Sequence, residues 1–271
     1  MRAAHALFLL TLASCVDRVA PPELVSRLSV LAVQADPGQV MVYAQMPNLP
    51  GDNPPVTRIV PIRLLTLAVN RQGIAGDATF EYGLCGPDPL PPSGPPDCLP
   101  PRGTALPVEH ELGVLDLASA APWLSQLPDG GWPALTFYLS VRARSGGEEA
   151  VALRRVAVES YDDRVYAGRL TVDGVRLDGV RRVRVTQGVH RLEVRPECSL
   201  SPECDVAWYV TGGSPARTPT LLGESNRGPV FEWVAPAEAG DVVVVAVVRS
   251  AYRAGGVAWN WGTLEVEADA R

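Results

Sequence analysis

Few residues of this sequence are of types that do chemistry, and their neighbours decide what each could do. Of the three histidines, His110 sits in Glu109-His110-Glu111, where a carboxylate could hold an imidazole as a base or the triplet could supply half of a metal site. No second histidine lies near it in sequence, so it reads as an exposed strand-edge triplet. His190, between Val189 and Arg191, reads as a partly exposed residue at the start of a strand. The sequence contains no lysine, which excludes a P-loop, Schiff-base chemistry and Ser-x-x-Lys activation. Ser225, in Gly223-Glu-Ser-Asn-Arg-Gly228, lacks the strand-to-helix turn that exposes a hydrolase nucleophile. The adjacent carboxylates Glu148-Glu149 and Asp162-Asp163 would point to opposite faces of a strand. Asp173-Gly174 and Asp178-Gly179 lack the alternating carboxylates of an EF-hand loop and read as two turns. No catalytic residue, metal or cofactor is assigned on these grounds.

The cysteines carry more. Cys15 closes Leu12-Ala13-Ser14-Cys15, which follows the apolar run 6–12 and a positive start at Arg2. A run of that length is too short to span a bilayer as a mature helix and has the layout of a cleaved leader. The four residues resemble a lipobox, which implies that 1–14 is a signal peptide and that Cys15 is lipidated and becomes the new amino terminus. The membrane is then a partner through the lipid anchor, with 15–26, containing Pro21-Pro22, as a tether. Val16 rather than aspartate follows the cysteine, which by the sorting rule of such proteins implies the outer membrane. The other four cysteines, Cys85, Cys98, Cys198 and Cys204, fall into two sequence-local groups, as expected of an exported chain. The simplest pairing is Cys85 with Cys98 and Cys198 with Cys204, although three connectivities are formally open. The spacings, with no histidine nearby, are poor for zinc.

The last chemistry-bearing group is aromatic. Trp259 and Trp261 flank Asn260, so on a strand both lie on one face, with Tyr252 shortly before. Such a face can stack on sugar rings or dock a partner, and can equally be core. Charge excludes one class of partner. Without residues 1–14 the chain has 23 arginines, only Arg2 being lost, against 30 acidic residues, the opposite of a nucleic-acid surface.

The elements that must hold these groups are strands. Alternating apolar residues predict strands over 27–35, 40–46, 58–69 with Pro61 at an edge or break, 78–84, 134–144 and 149–159. The last two form a hairpin about Gly146-Gly147, and a phase shift in the second suggests a bulge. Between Cys85 and Cys98 the many prolines make a stiff loop; 117–127 is the one plausible helix. A boundary falls at 160, giving a first domain over 27–159 and a second over 160–271. In the second, strands are expected at 170–172, 181–186, 190–194, 206–210, 230–234, 241–249 and 259–267. Asp241-Val-Val-Val-Val-Ala-Val-Val248 is apolar on both faces, as a central strand is. Trp208 in mid-strand matches the tryptophan that immunoglobulin-like sandwiches bury. The expected fold is therefore all-β, two antiparallel β-sandwich (Ig-like) domains.

Residues 27–37 after the Cys15 motif, Tyr82-Gly-Leu-Cys85, and Phe231-Glu-Trp-Val-Ala-Pro236 before a Gly-Asp and a long valine strand resemble secreted lipoproteins of myxobacteria and related Gram-negative bacteria. That resemblance implies Ig-like domains and an envelope location, and transfers no catalytic residue. The expectation is a non-enzymatic structural or interaction module of the cell envelope, engaging envelope protein or polysaccharide. The alternatives are an envelope hydrolase acting on polysaccharide or peptidoglycan through an acid pair, and a subunit of a larger envelope complex.

Overall fold

A period of two in side-chain direction puts one face of each strand into a core, and strands that are apolar on both faces need cover on both sides. The computed structural model describes residues 23–36, 62–87, 98, 104–109, 112–115, 135–158, 165–198, 204–216, 228–250 and 256–268. The first half contributes β1 (Glu23–Leu24), β2 (Ser29–Asp36), β3 (Ile62–Asn70), β4 (Gly73–Ile74), β5 (Thr79–Pro87), β6 (Thr104–Ala105), β7 (Val108–Glu109), β8 (Leu112–Leu115), β9 (Leu135–Ser145) and β10 (Glu148–Val158). The second contributes β11 (Val165–Tyr166), β12 (Leu170–Val172), β13 (Val175–Leu177), β14 (Arg182–Val185), β15 (Val189–Val194), β16 (Glu197–Cys198), β17 (Cys204–Val210), β18 (Ser214–Pro215), β19 (Val230–Val234), β20 (Gly240–Ser250) and β21 (Val257–Val266). The described residues contain no helix. The protein is all-β, as expected. The expected strand over 40–46 and helix over 117–127 lie outside the described residues.

Four larger sheets and the short β11–β16 ladder hold these strands. Sheet I has the order β2-β3-β8-β7, with β4 beside β3, and sheet II the order β10-β9-β5-β6. Sheet III is β1-β17-β20-β21-β14 and sheet IV is β13-β12-β15-β19-β18. Most neighbours are antiparallel; β1 on β17 and β14 on β21 are parallel. The hairpin β9–β10 turns on Gly146 and Gly147, both at positive φ, as a two-residue turn requires. Its ladder runs without a register shift from Glu148↔Ser145 to Val158↔Leu135. The suggested bulge is therefore not there: β10 is an edge strand, and Val151 stands 54% exposed on its open side. Register shifts sit instead in β5, between Cys85 and Pro87, and in β2, between Val30 and Ala32, where an extra residue lets Leu31, Ala32 and Val33 all be buried.

Three apolar layers bind the sheets into one stack in the order IV, III, I, II. Between IV and III lie Leu170, Leu192, Val194 and Trp233 against Trp208, Val242, Val244, Ala246 and Val248. Between III and I lie Val243, Val245, Val247 and Val257 against Leu31, Ala32, Leu67 and Val69. Between I and II the cluster contains Leu28, Ala68, Ala75 and Ala143. Strand β20 thus buries its even residues toward one neighbour and its odd residues toward the other. Strand β3 does the same, with Leu67 and Val69 toward sheet III while Thr66 bonds the Tyr82 hydroxyl of sheet II at 2.9 Å. The expected tether ends in structure: Glu23 and Leu24 pair with Tyr209 and Val210, and the Val25 amide donates to the Val210 carbonyl. The two expected domains are thereby joined through a shared apolar layer.

Candidate functional site

The side chains that could act chemically gather on sheet IV, around the hairpin of β12 and β13. Asp173-Gly174 makes its turn, as expected. Asp173 is the one described residue other than glycine at positive φ, 48°, and Gly174 follows at 83°, the pairing a two-residue hairpin turn needs. From that turn the Asp173 carboxylate reaches the neighbouring strand, accepting from the Arg191 amide at 2.8 Å and contacting His190 Nδ1 at 2.7 Å. His190 Nε2 lies 2.8 Å from the Thr186 carbonyl oxygen, and the ring tilts against Trp233. The histidine is only 8% exposed, so the expectation of a partly exposed strand residue is corrected. Alternation gives the reason: position 190 shares the inward phase of Leu192 and Val194.

A histidine held by an aspartate looks like the base half of a catalytic pair, but the ring nitrogen that would take a proton from a nucleophile is bound to a backbone carbonyl. The arrangement clamps the turn onto the strand. Burial pushes the Asp173 carboxyl up, and the Arg191 amide and the His190 ring outweigh this, leaving it below the ordinary aspartate range.

The opposite, outward face of the same sheet carries a concavity of about 400 Å³ lined by Arg169, Thr171, Gly174, Glu193 and Arg195. Thr171 faces Glu193 across the β12–β15 ladder. Arg169 and Arg195 stand one residue beyond its last pair, Leu170 and Val194. The approach of the two strands here depends on Gly168, at φ +68°, where a Cβ would lie 1.9 Å from the Arg195 carbonyl oxygen. The Gly168 carbonyl also accepts from Asn260 of sheet III at 2.7 Å. Glu193 pairs with Arg195 at 3.4 Å and with Arg191 at 3.7 Å.

Several acidic groups on other sheets have structural partners. On sheet II, Arg142 and Arg144 each bridge Glu81 and Glu149, at 2.6 to 3.2 Å. Hydrogen bonding from Arg142 first, and then Arg144, holds the Glu81 carboxyl below its ordinary range. Glu148 accepts from the Leu28 amide. Among the described residues no three His, Cys, Asp or Glu side chains gather to hold a metal ion.

Both expected disulfides are formed, Cys85–Cys98 with Cα atoms 5.0 Å apart and Cys198–Cys204 with 5.9 Å. Trp259 and Trp261 do share a face, and that face packs half-buried against the apolar layer between sheets III and I; Trp261 also lies over Gly179. Tyr252, Cys15, His110 and Ser225 lie outside the described residues.

No family model matches the sequence, and no curated protein does. Among solved structures the chain is similar to a chimeric titin Z1Z2, at 14% identity and a TM-score of 0.23, covering 92% of this chain and 98% of that one. Extracellular domains 3–5 of Drosophila OTK align at 11% identity and a TM-score of 0.22, over 77% of this chain and 57% of that one. Domains 4 and 5 of the S-layer protein SbsC align at 14% identity and a TM-score of 0.20, over 89% and 100%.

Proposed function

We propose that this protein is a lipid-anchored, non-enzymatic module of the cell envelope, held at the outer membrane through Cys15 and acting by presenting a rigid stack of β-sheets. The observation that carries the reading is the burial of β20 on both faces, Val244 and Val247 being fully enclosed on opposite sides. Sandwiches joined by a flexible linker turn independently, whereas these share a layer, so a surface on sheet IV keeps its orientation relative to sheet II. The disulfides Cys85–Cys98 and Cys198–Cys204 support an oxidising compartment. The His190–Asp173 contact, whose ring is occupied on both nitrogens, supports structure over catalysis.

The test is metabolic labelling with a fatty acid and membrane fractionation in the native host, comparing wild type with Cys15→Ala. The wild-type protein is expected to take up label and sediment with the outer membrane, and the variant to lose both. A wild-type protein that is unlabelled and soluble overturns the anchoring.

A further inference from the structure

We propose that the concavity on sheet IV is a binding site for the uronate residues of an acidic polysaccharide. This deepens the reading of the protein as an envelope binding module and rests on it. Like charges placed across from each other in a β-ladder destabilise it, yet Arg169 and Arg195 flank one strand pair one residue past Leu170 and Val194. A glycine at positive φ, where a side chain would collide with the Arg195 carbonyl, and an asparagine from another sheet hold that approach. The acid at hand, Glu193, is shared between Arg195 and Arg191, and Arg169 takes no ion pair among the described residues. The like-charged pair is thus compensated at Arg195 alone, and a local rule broken at Arg169 without a balancing acid among the described residues marks a place where a ligand supplies the missing charge.

The chemistry of the lining selects the class. Two guanidinium groups outnumber the one carboxylate of the lining, which Arg191 also shares, so the site calls for an anion; a phosphate monoester would bring close to two negative charges beside Glu193, a carboxylate only one. Planar guanidinium forks fit planar carboxylates in paired hydrogen bonds. Glu193 and the Thr171 hydroxyl, 3.4 Å from the Glu193 carbonyl, are then placed to meet hydroxyl groups. A ligand with one carboxylate and several hydroxyls uses every polar group of the site, and a uronic acid is such a ligand. None of the five lining residues is aliphatic or aromatic, so the site offers no seat for the anchor side chain of a protein partner. The volume lies within the range of small-ligand sites, and the open sheet lets a chain run past it.

The test is titration of the full-length protein with oligogalacturonate, with the corresponding neutral galactose oligomer, and with inorganic phosphate. Wild type is expected to bind oligogalacturonate, more weakly as salt rises, and to ignore the neutral oligomer. Arg169→Gln and Arg195→Gln are each expected to lower the affinity about tenfold or more, the loss of a charge-assisted contact, with an unchanged melting temperature. The double variant Arg63→Gln/Arg71→Gln, which removes two exposed arginines in and beside sheet I, is expected to bind as wild type does. Equal loss in that control, undiminished binding in the sheet IV variants, or competition by phosphate as strong as by oligogalacturonate would overturn the proposal. Those outcomes leave lipid labelling at Cys15 untouched, so the two readings fail separately.

Discussion

Asp173 shows how a turn residue can take on a second task at the scale of single side chains. Its positive φ is tolerable because aspartate, like asparagine, visits that region more readily than other side chains. The carboxylate then ties the turn to Arg191 and His190. Because its pKa is lowered in the folded protein, its contribution is fully present above the unfolded value, about 3.9, and is lost as pH falls through the folded one. Asp173→Asn keeps the turn and removes the titration. The variant is expected to be less stable than wild type at neutral pH, with the gap closing below about pH 4; parallel urea melts from pH 7 to pH 3 check this. A constant gap would assign the effect to the turn alone. The turn itself was legible, since Asp-Gly between alternating stretches is a short-range signal. Its bond to a histidine on β15, the strand beside β12, was not, because the sequence shows that His190 begins a strand but not which side chain crosses to it.

Strand β20 is the element whose sequence said most. Its run of valines was readable as a central strand, and it does lie inside its sheet, between β17 and β21. What covers its second face was not readable, because periodicity gives the faces of a strand and never its partner. For the same reason Trp259 and Trp261 could be placed on one face of β21, while that face's destination, the layer against sheet I, emerged only from the packing. The layer makes a quantitative demand. Val247 is fully buried and Val230, on β19, is 38% exposed. Val247→Ala is expected to cost about 2 kcal/mol through lost burial and the cavity left behind, lowering the melting temperature by roughly 4–8 °C for a chain of this size. Val230→Ala is expected to change stability by less than about 0.5 kcal/mol. Equal effects at the two positions, read by thermal melts, would mean that β20 is not covered on its odd face.

At the scale of the molecule the same layer decides whether the two halves of the chain are domains in the physical sense. A break at 160 is what the change of composition leads one to expect, and the described residues on either side do contain a pair of packed sheets each. Yet the second half alone would expose Val243, Val245, Val247 and Val257, a contiguous apolar face of the kind that soluble chains cover. It would also lose the Arg249 guanidinium bond to the Leu31 carbonyl, 3.0 Å long, and the parallel pairing of β1 on the edge of β17. A fragment spanning residues 160–271 is therefore expected to aggregate or to bind a hydrophobic dye strongly when produced alone. Co-production with residues 15–159 is expected to recover a soluble complex, since each fragment carries one side of the shared layer. Wild-type protein cut once between 159 and 164 is expected to keep both pieces together through size-exclusion chromatography and to melt in one transition. Two soluble fragments that never associate would show that the sheets of the two halves fold and stand apart, and a surface on sheet IV would then have no set orientation relative to sheet II.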